Sequence, residues 1–149
     1  MKWLHVLSST LLFGTGLCSA YYMVRASLTR DARTTATVIH HVVLADWMFT
    51  ATEVVIQPAT GLYMVHLAGL PLQSRWIVWS IALYLSAGAC WLPVVWMQLR
   101  MRDLARRASA RNEPLPDAYW RYYRAWVALG IPAFLVLVVV FWLMVAKPV

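Results

Sequence analysis

The stretch Ala125–Val145, AWVALGIPAFLVLVVVFWLMV, decides the fold. It runs for 21 residues without one Asp, Glu, Lys or Arg. About 20 apolar residues, each rising 1.5 Å along a helix, cross the ~30 Å hydrocarbon core of a bilayer. Working outward from it, three more segments qualify: Trp3–Val24, Val38–Leu67 and Trp76–Leu99. The Val38–Leu67 segment is longer than a span requires, so it tilts or projects beyond the lipid. The composition agrees, with 62% hydrophobic and 13% charged residues, where a soluble domain carries about 25% charged. The expectation is a single all-α domain, an integral membrane four-helix bundle over residues 1–149, with the lipid bilayer as its solvent.

The formal charge is +7, but its placement argues against a nucleic-acid partner. Arg25, Arg30 and Arg33 follow the first apolar run. Arg100, Arg102, Arg106, Arg107, Arg111, Arg121 and Arg124 follow the third, whereas Lys2, Arg75 and Lys147 are all the opposite side holds. Cytoplasmic loops are enriched in Lys and Arg. Loops 25–37 and 100–124 are therefore expected in the cytoplasm and both termini on the other side, as in an inner (plasma) membrane protein. The first run ends in a Cys-Ser-Ala sequence at Ala20, yet it is longer than the apolar region of a cleaved leader and is followed by Arg25. It reads as a retained helix. Cys18 and Cys90 both lie inside apolar runs, so no disulfide framework is expected.

Gly69, Pro71 and Ser74 mark a tight turn between the second and third helices. The third loop breaks at Asn112–Pro116, after which Asp117 suits a helix start. Tyr119, Trp120, Tyr122, Tyr123 and Trp126 form an aromatic collar where the fourth helix enters the membrane. Gly14-xxx-Cys18 and Gly16-xxx-Ala20 have the spacing of close helix packing. No glycine-rich phosphate loop, Cys-x-x-Cys pair or His-Glu-x-x-His motif is present, so nucleotide-driven and hydrolytic functions gain no support.

The chemistry concentrates on the second helix. Asp46, Thr50, Glu53, Gln57 and Thr60 recur at spacings of four, three, four and three, which places all five on one helical face. A charged carboxylate facing lipid costs several kcal/mol, so Glu53 should face the bundle, a cavity or a partner. It either joins helices by hydrogen bonding or carries protons or a cation. On the first helix, His5 shares a face with Ser8 or Ser9, Leu12, Gly16 and Ser19. Counting inward from Arg25 sets His5 about 30 Å from the arginine-rich edge, the depth of Gln57 and Pro58 on the second helix and of Trp79 and Ser80 on the third. His5, Gln57 and Glu53 are thus candidates to line one pocket. Imidazole commonly ligates metals and haem iron, which makes His5 a candidate ligand. His66 is a second candidate, although on an ideal helix it points nearly opposite Gln57. His40 and His41 read as interfacial anchors.

Two segments carry a family resemblance. Lys2-Trp-Leu-His5-Val-Leu, with Gly14 to Tyr21 and then Arg25, resembles the first helix of HemJ-type protoporphyrinogen oxidases and of the copper-resistance D group. Tyr123-Arg124 through Pro132 to Ala146-Lys147-Pro148 resembles their last helix. Over nearly its whole length the chain is similar to a bacterial four-helix inner-membrane family of unknown function (DUF2269-like). In the HemJ-type enzymes the first-helix histidine is implicated in binding b-type haem, and His5 occupies that position here. Those enzymes also use a lysine early in the third helix, where this chain reads Trp76-Ile-Val-Trp-Ser80. The resemblance therefore implies haem b at His5, while the missing lysine departs from the pattern of the oxidase activity. Two functional expectations follow: a small b-type haem redox protein with a membrane redox partner or a second copy of itself, or a membrane subunit or small proton/cation transporter using Glu53 and Asp46.

Overall fold

The computed structural model describes residues 1–147; Pro148, the last residue of the terminal likeness, and Val149 lie outside the described residues. Four long helices follow one another: α1 (Lys2–Leu28), α2 (Ala32–Leu67), α3 (Arg75–Ala110) and α4 (Asp117–Ala146). Each is long and apolar enough to cross a membrane, and no strand occurs among the described residues. The protein is an all-α, multi-pass membrane bundle. Its α1–α2 and α3–α4 turns share one end, called here the arginine-rich end; the chain termini and the α2–α3 turn share the other.

The stretches 25–37 and 100–124, expected as basic loops, are mostly helical. Only residues 29–31 and 111–116 leave the helices there. Arg, Ala, Leu and Met propagate a helix well whether or not lipid surrounds it, so the end of an apolar run marks a membrane edge and not a helix end. The actual stops are local. Arg30 (φ 56°) and Asn112 (φ 52°) adopt left-handed conformations just past α1 and α3, and Glu113 N–H closes the α3 cap on the Ala108 carbonyl at 2.9 Å. Asp31 starts α2 by accepting from the Thr34 N–H at 2.7 Å. Hydrogen bonding from the Thr34 side chain and then its backbone holds the Asp31 carboxyl below its ordinary value. Gly69 (φ 61°) makes the α2–α3 turn, where a left-handed backbone favours glycine.

The helices pack most tightly toward the arginine-rich end. Met23, Ile39, Met101 and Tyr119 are fully buried there, joined by Ala105 and Trp126, and Tyr119 Oη shares a 2.7 Å hydrogen bond with Ser27 Oγ. Toward the terminal end α1 pairs with the second half of α2, and α3 pairs with α4. Side chains bridge these two hairpins: Phe13 contacts Phe134 and Phe141 at ring separations of 4.8 and 5.4 Å, and Tyr84 Oη donates to the Val54 carbonyl at 2.9 Å.

The small-residue spacings of α1 behave differently from expectation. A Cβ added at Gly14 or Gly16 would meet nothing within 4 Å, and Cys18 is exposed. The packed face of α1 is instead the one bearing Ser8, Leu12 and Ser19. The close approach is at Gly61, where an added Cβ would lie 3.3 Å from His5 Cε1.

Candidate functional site between α1 and α2

All five residues of the polar stripe on α2 are buried: Asp46, Thr50, Glu53, Gln57 and Thr60. They face α1, whose own buried polar residues are Ser8, Ser19 and Ser27. Two hydrogen bonds fix the register of this antiparallel pair. His5 Nδ1 meets Thr60 Oγ1 at 2.8 Å, and Ser19 Oγ donates to Asp46 Oδ1 at 2.8 Å. Both helices advance 14 residues between the two contacts, a seam about 21 Å long at 1.5 Å per residue. The same register sets Leu12 opposite Glu53 and Ser8 one turn nearer the termini.

Residues Asp46–Thr50 form a π turn inside α2. Single π turns in α-helices are rare and recur at functional sites; this one begins at Asp46 and ends at Thr50. The Asp46 carboxylate gathers three helices. Oδ1 accepts from Ser19 of α1 and, at 3.3 Å, from Thr50 Oγ1. Oδ2 accepts from Gln98 Nε2 of α3 at 3.0 Å. Ser19, Thr50 and Gln98 are themselves buried. A cleft of about 10 Å³ lined by Asp46, Trp47, Trp91 and Gln98 adjoins the carboxylate, close to the least space one water needs.

Glu53 is in a different condition. It is only 8% exposed, and its Oε2 has no hydrogen-bond partner. Ser8 Oγ is also buried and without a partner. Tyr84, the polar residue that α3 brings to this level, spends its hydroxyl on the Val54 carbonyl. Two buried oxygens on facing helices, one of them a carboxylate's, are thus left with unused hydrogen-bonding capacity.

At the terminal end His5 is held on two sides. Thr60 Oγ1 lies 2.8 Å from the Ile56 carbonyl and 3.1 Å from that of Gln57, so its single proton goes to the backbone and the hydroxyl accepts from His5 Nδ1. That hydrogen-bond pattern assigns the tautomer and leaves Nε2 with its lone pair. Gln57 Nε2 donates to the His5 carbonyl at 3.3 Å. His5, Gln57 and Thr60 therefore meet, and Glu53 lies one turn deeper. His66 is exposed and sits about 140° around α2 from Gly61, the residue that seats the His5 ring. His40 and His41 are exposed near the arginine-rich end.

Sequence reasoning missed Gln98 and Tyr84. Gln98 carried a readable signal: it is a lone amide in the apolar run before Arg100, the same kind of signal that marked the stripe. Tyr84 carried none that separates it from the other aromatics.

The family model described as "Predicted integral membrane protein (DUF2269)" matches residues 1–148. The chain belongs to this family. No curated protein and no solved structure matches the chain. Membership in DUF2269 agrees with membrane integration, and the polar chemistry of this DUF2269 member is concentrated in the α1–α2 seam.

Proposed function

We propose that the protein takes up a proton or a small monovalent cation within the membrane, as a small transporter or the membrane subunit of one, with Glu53 as the receiving group. The observation that carries this reading is the unpartnered Oε2 of a buried carboxylate. A carboxylate so placed needs a proton, a cation or a donor, because lipid supplies none. Ser8 Oγ offers a second oxygen from α1. Asp46 is the second acidic group of the seam, and both of its oxygens have donors. The two carboxylates thus have separate parts: Asp46 holds the helices in register, and Glu53 exchanges its ion. The test is flux in proteoliposomes under a potassium diffusion potential, read with trapped pH-sensitive and sodium-sensitive dyes. Wild-type protein should conduct protons or sodium. Glu53→Gln should keep the fold, since its amide still hydrogen-bonds, and abolish flux. Equal flux in wild type, Glu53→Gln and empty vesicles defeats the reading.

A second reading rests on His5. Its neutral Nδ1–H form, oriented by Thr60, leaves Nε2 as a ligand atom, and a second-shell hydrogen bond of this kind is what fixes metal-binding imidazoles. His5 would hold the iron of haem b through Nε2; His66 faces elsewhere. Haem would supply one-electron redox chemistry, while Thr60 and Gly61 would set the ring's direction. A Soret band in purified protein that His5→Ala removes, and that His40→Ala and His41→Ala retain, supports this reading. A colourless wild-type protein reconstituted with haem and still lacking the band ends it.

A further inference from the structure

A cleft of about 280 Å³ opens between the two turns at the arginine-rich end, lined by Arg30, Asp31, Arg33, Ser109, Asn112 and Glu113. Its walls carry charges of both signs; Arg33 lies near enough to Asp31 to favour its charged form, but no ion pair among the described residues closes the cleft. Among the described residues the only ion pair within 4.0 Å is Arg102–Asp103. Asp31 already gives Oδ2 to the Thr34 N–H as the cap of α2. Arg30, Arg33 and Glu113 are exposed and have no ion-pair partner among the described residues. Arg30 and Asn112 also adopt left-handed backbone conformations on opposite sides of the cleft, where glycine is the favoured residue. The Arg30 guanidinium lies 5.9 Å from the centre of the Trp120 ring, so the cleft adjoins a half-buried tryptophan at the start of α4, a residue type enriched at headgroup level.

A simple anion suits this cleft poorly, because Asp31 and Glu113 would repel it. A simple cation meets two guanidinium groups. The composition fits a ligand that carries phosphate and ammonium together: arginine recognises phosphate oxygens through paired N–H donors, and a carboxylate accepts from a primary ammonium. We propose that the cleft binds the phosphoethanolamine head of a membrane lipid, with Arg30 and Arg33 on the phosphate and Glu113 on the ammonium. The proposal is independent of the ion reading at Glu53.

Native mass spectrometry of the full detergent-solubilised chain tests it, by titration with phosphatidylethanolamine, phosphatidylglycerol and phosphatidylcholine. Phosphatidylethanolamine should bind roughly tenfold tighter than phosphatidylglycerol, the share of one charge-assisted hydrogen bond. Glu113→Gln should remove that preference. Arg33→Gln should weaken phosphatidylethanolamine by a similar factor. Both replaced side chains are exposed, and circular dichroism checks that the helices persist. Equal binding of phosphatidylglycerol, or a preference that survives Glu113→Gln, overturns the proposal. Binding of soluble phosphoethanolamine without any lipid selectivity overturns the lipid assignment and moves the ligand to the aqueous phase.

Discussion

Replacing Asp46 with alanine removes the acceptor at which α1, α2 and α3 meet. Two interhelical donors lose their partner, Ser19 Oγ at 2.8 Å and Gln98 Nε2 at 3.0 Å. Thr50 loses a longer bond at 3.3 Å, and its hydroxyl can return to its own helix backbone. Interhelical hydrogen bonds in membranes are worth about 0.6 kcal/mol on average and up to about 1.7. The two together set a cost of roughly 1–3.5 kcal/mol for Asp46→Ala. Asp46→Asn keeps one acceptor oxygen, so it should cost less, about 1 kcal/mol. Thr50→Ala should cost less again. Ser19→Ala and Gln98→Leu should be non-additive with Asp46→Ala, because each removes a bond to the same carboxylate. Equilibrium unfolding in mixed micelles, monitored by tryptophan fluorescence, measures each variant and the double-mutant cycles. If Asp46→Ala costs less than Asp46→Asn, or Ser19→Ala adds its full cost on an Asp46→Ala background, the three-helix junction is not what holds these helices together.

The close approach at Gly61 predicts a size limit. Gly61→Ala places a Cβ 3.3 Å from His5 Cε1, which the half-buried ring absorbs by a small shift, whereas Gly61→Val should displace the imidazole. A His5 Nδ1 resonance in NMR that loses its Thr60 hydrogen-bond signature in Gly61→Val alone is the expected result. At Asp31, the carboxyl sits below its ordinary value because it accepts from Thr34. A depressed folded value means stability that is present at neutral pH and lost as pH falls through that value. Asp31→Ala should therefore lower the melting temperature at pH 7, and the gap from wild type should close in strong acid. A gap independent of pH would remove the cap's role. The arginine asymmetry predicts that reporters fused to either terminus are active only on the non-cytoplasmic side. A cytoplasmic signal from both fusions would invert the bundle.

The spans were legible because each is a property of contiguous residues: 21 uncharged positions at Ala125–Val145 state their solvent without help from the rest of the chain. The stripe was legible for the same reason, since helical periodicity within α2 tells which residues share a face. Which helix receives that face depends on rotation and register between distant segments. The depth count brought His5 level with Gln57, and the structure joins them. It did not bring Gln98 to Asp46, because that contact crosses to the long α3 near its arginine-rich half, where the helix runs on past the apolar edge. Nor did periodicity reveal the π turn at Asp46–Thr50: the sequence there remains compatible with a plain α-helix.

The same contacts separate the two carboxylates that the spacing had made equivalent. Seen from α2 alone, Asp46 and Glu53 are both acidic residues on one buried face. Across the seam they have opposite hydrogen-bond states. Asp46 accepts from three donors on three helices, and any movement of α1 or α3 breaks one of them, so it resists change. Glu53 lies opposite an apolar Leu12 in the fixed register, and its Oε2 accepts from nothing. A residue that only joins helices gains by having donors on both oxygens, as Asp46 does. Burying an oxygen of Glu53 without a partner opposes stability, which supports the proposal that this carboxyl takes up an ion or a proton. Glu53→Gln and Asp46→Asn should therefore differ in kind: the first should remove flux and spare stability, and the second should cost stability whether or not flux survives.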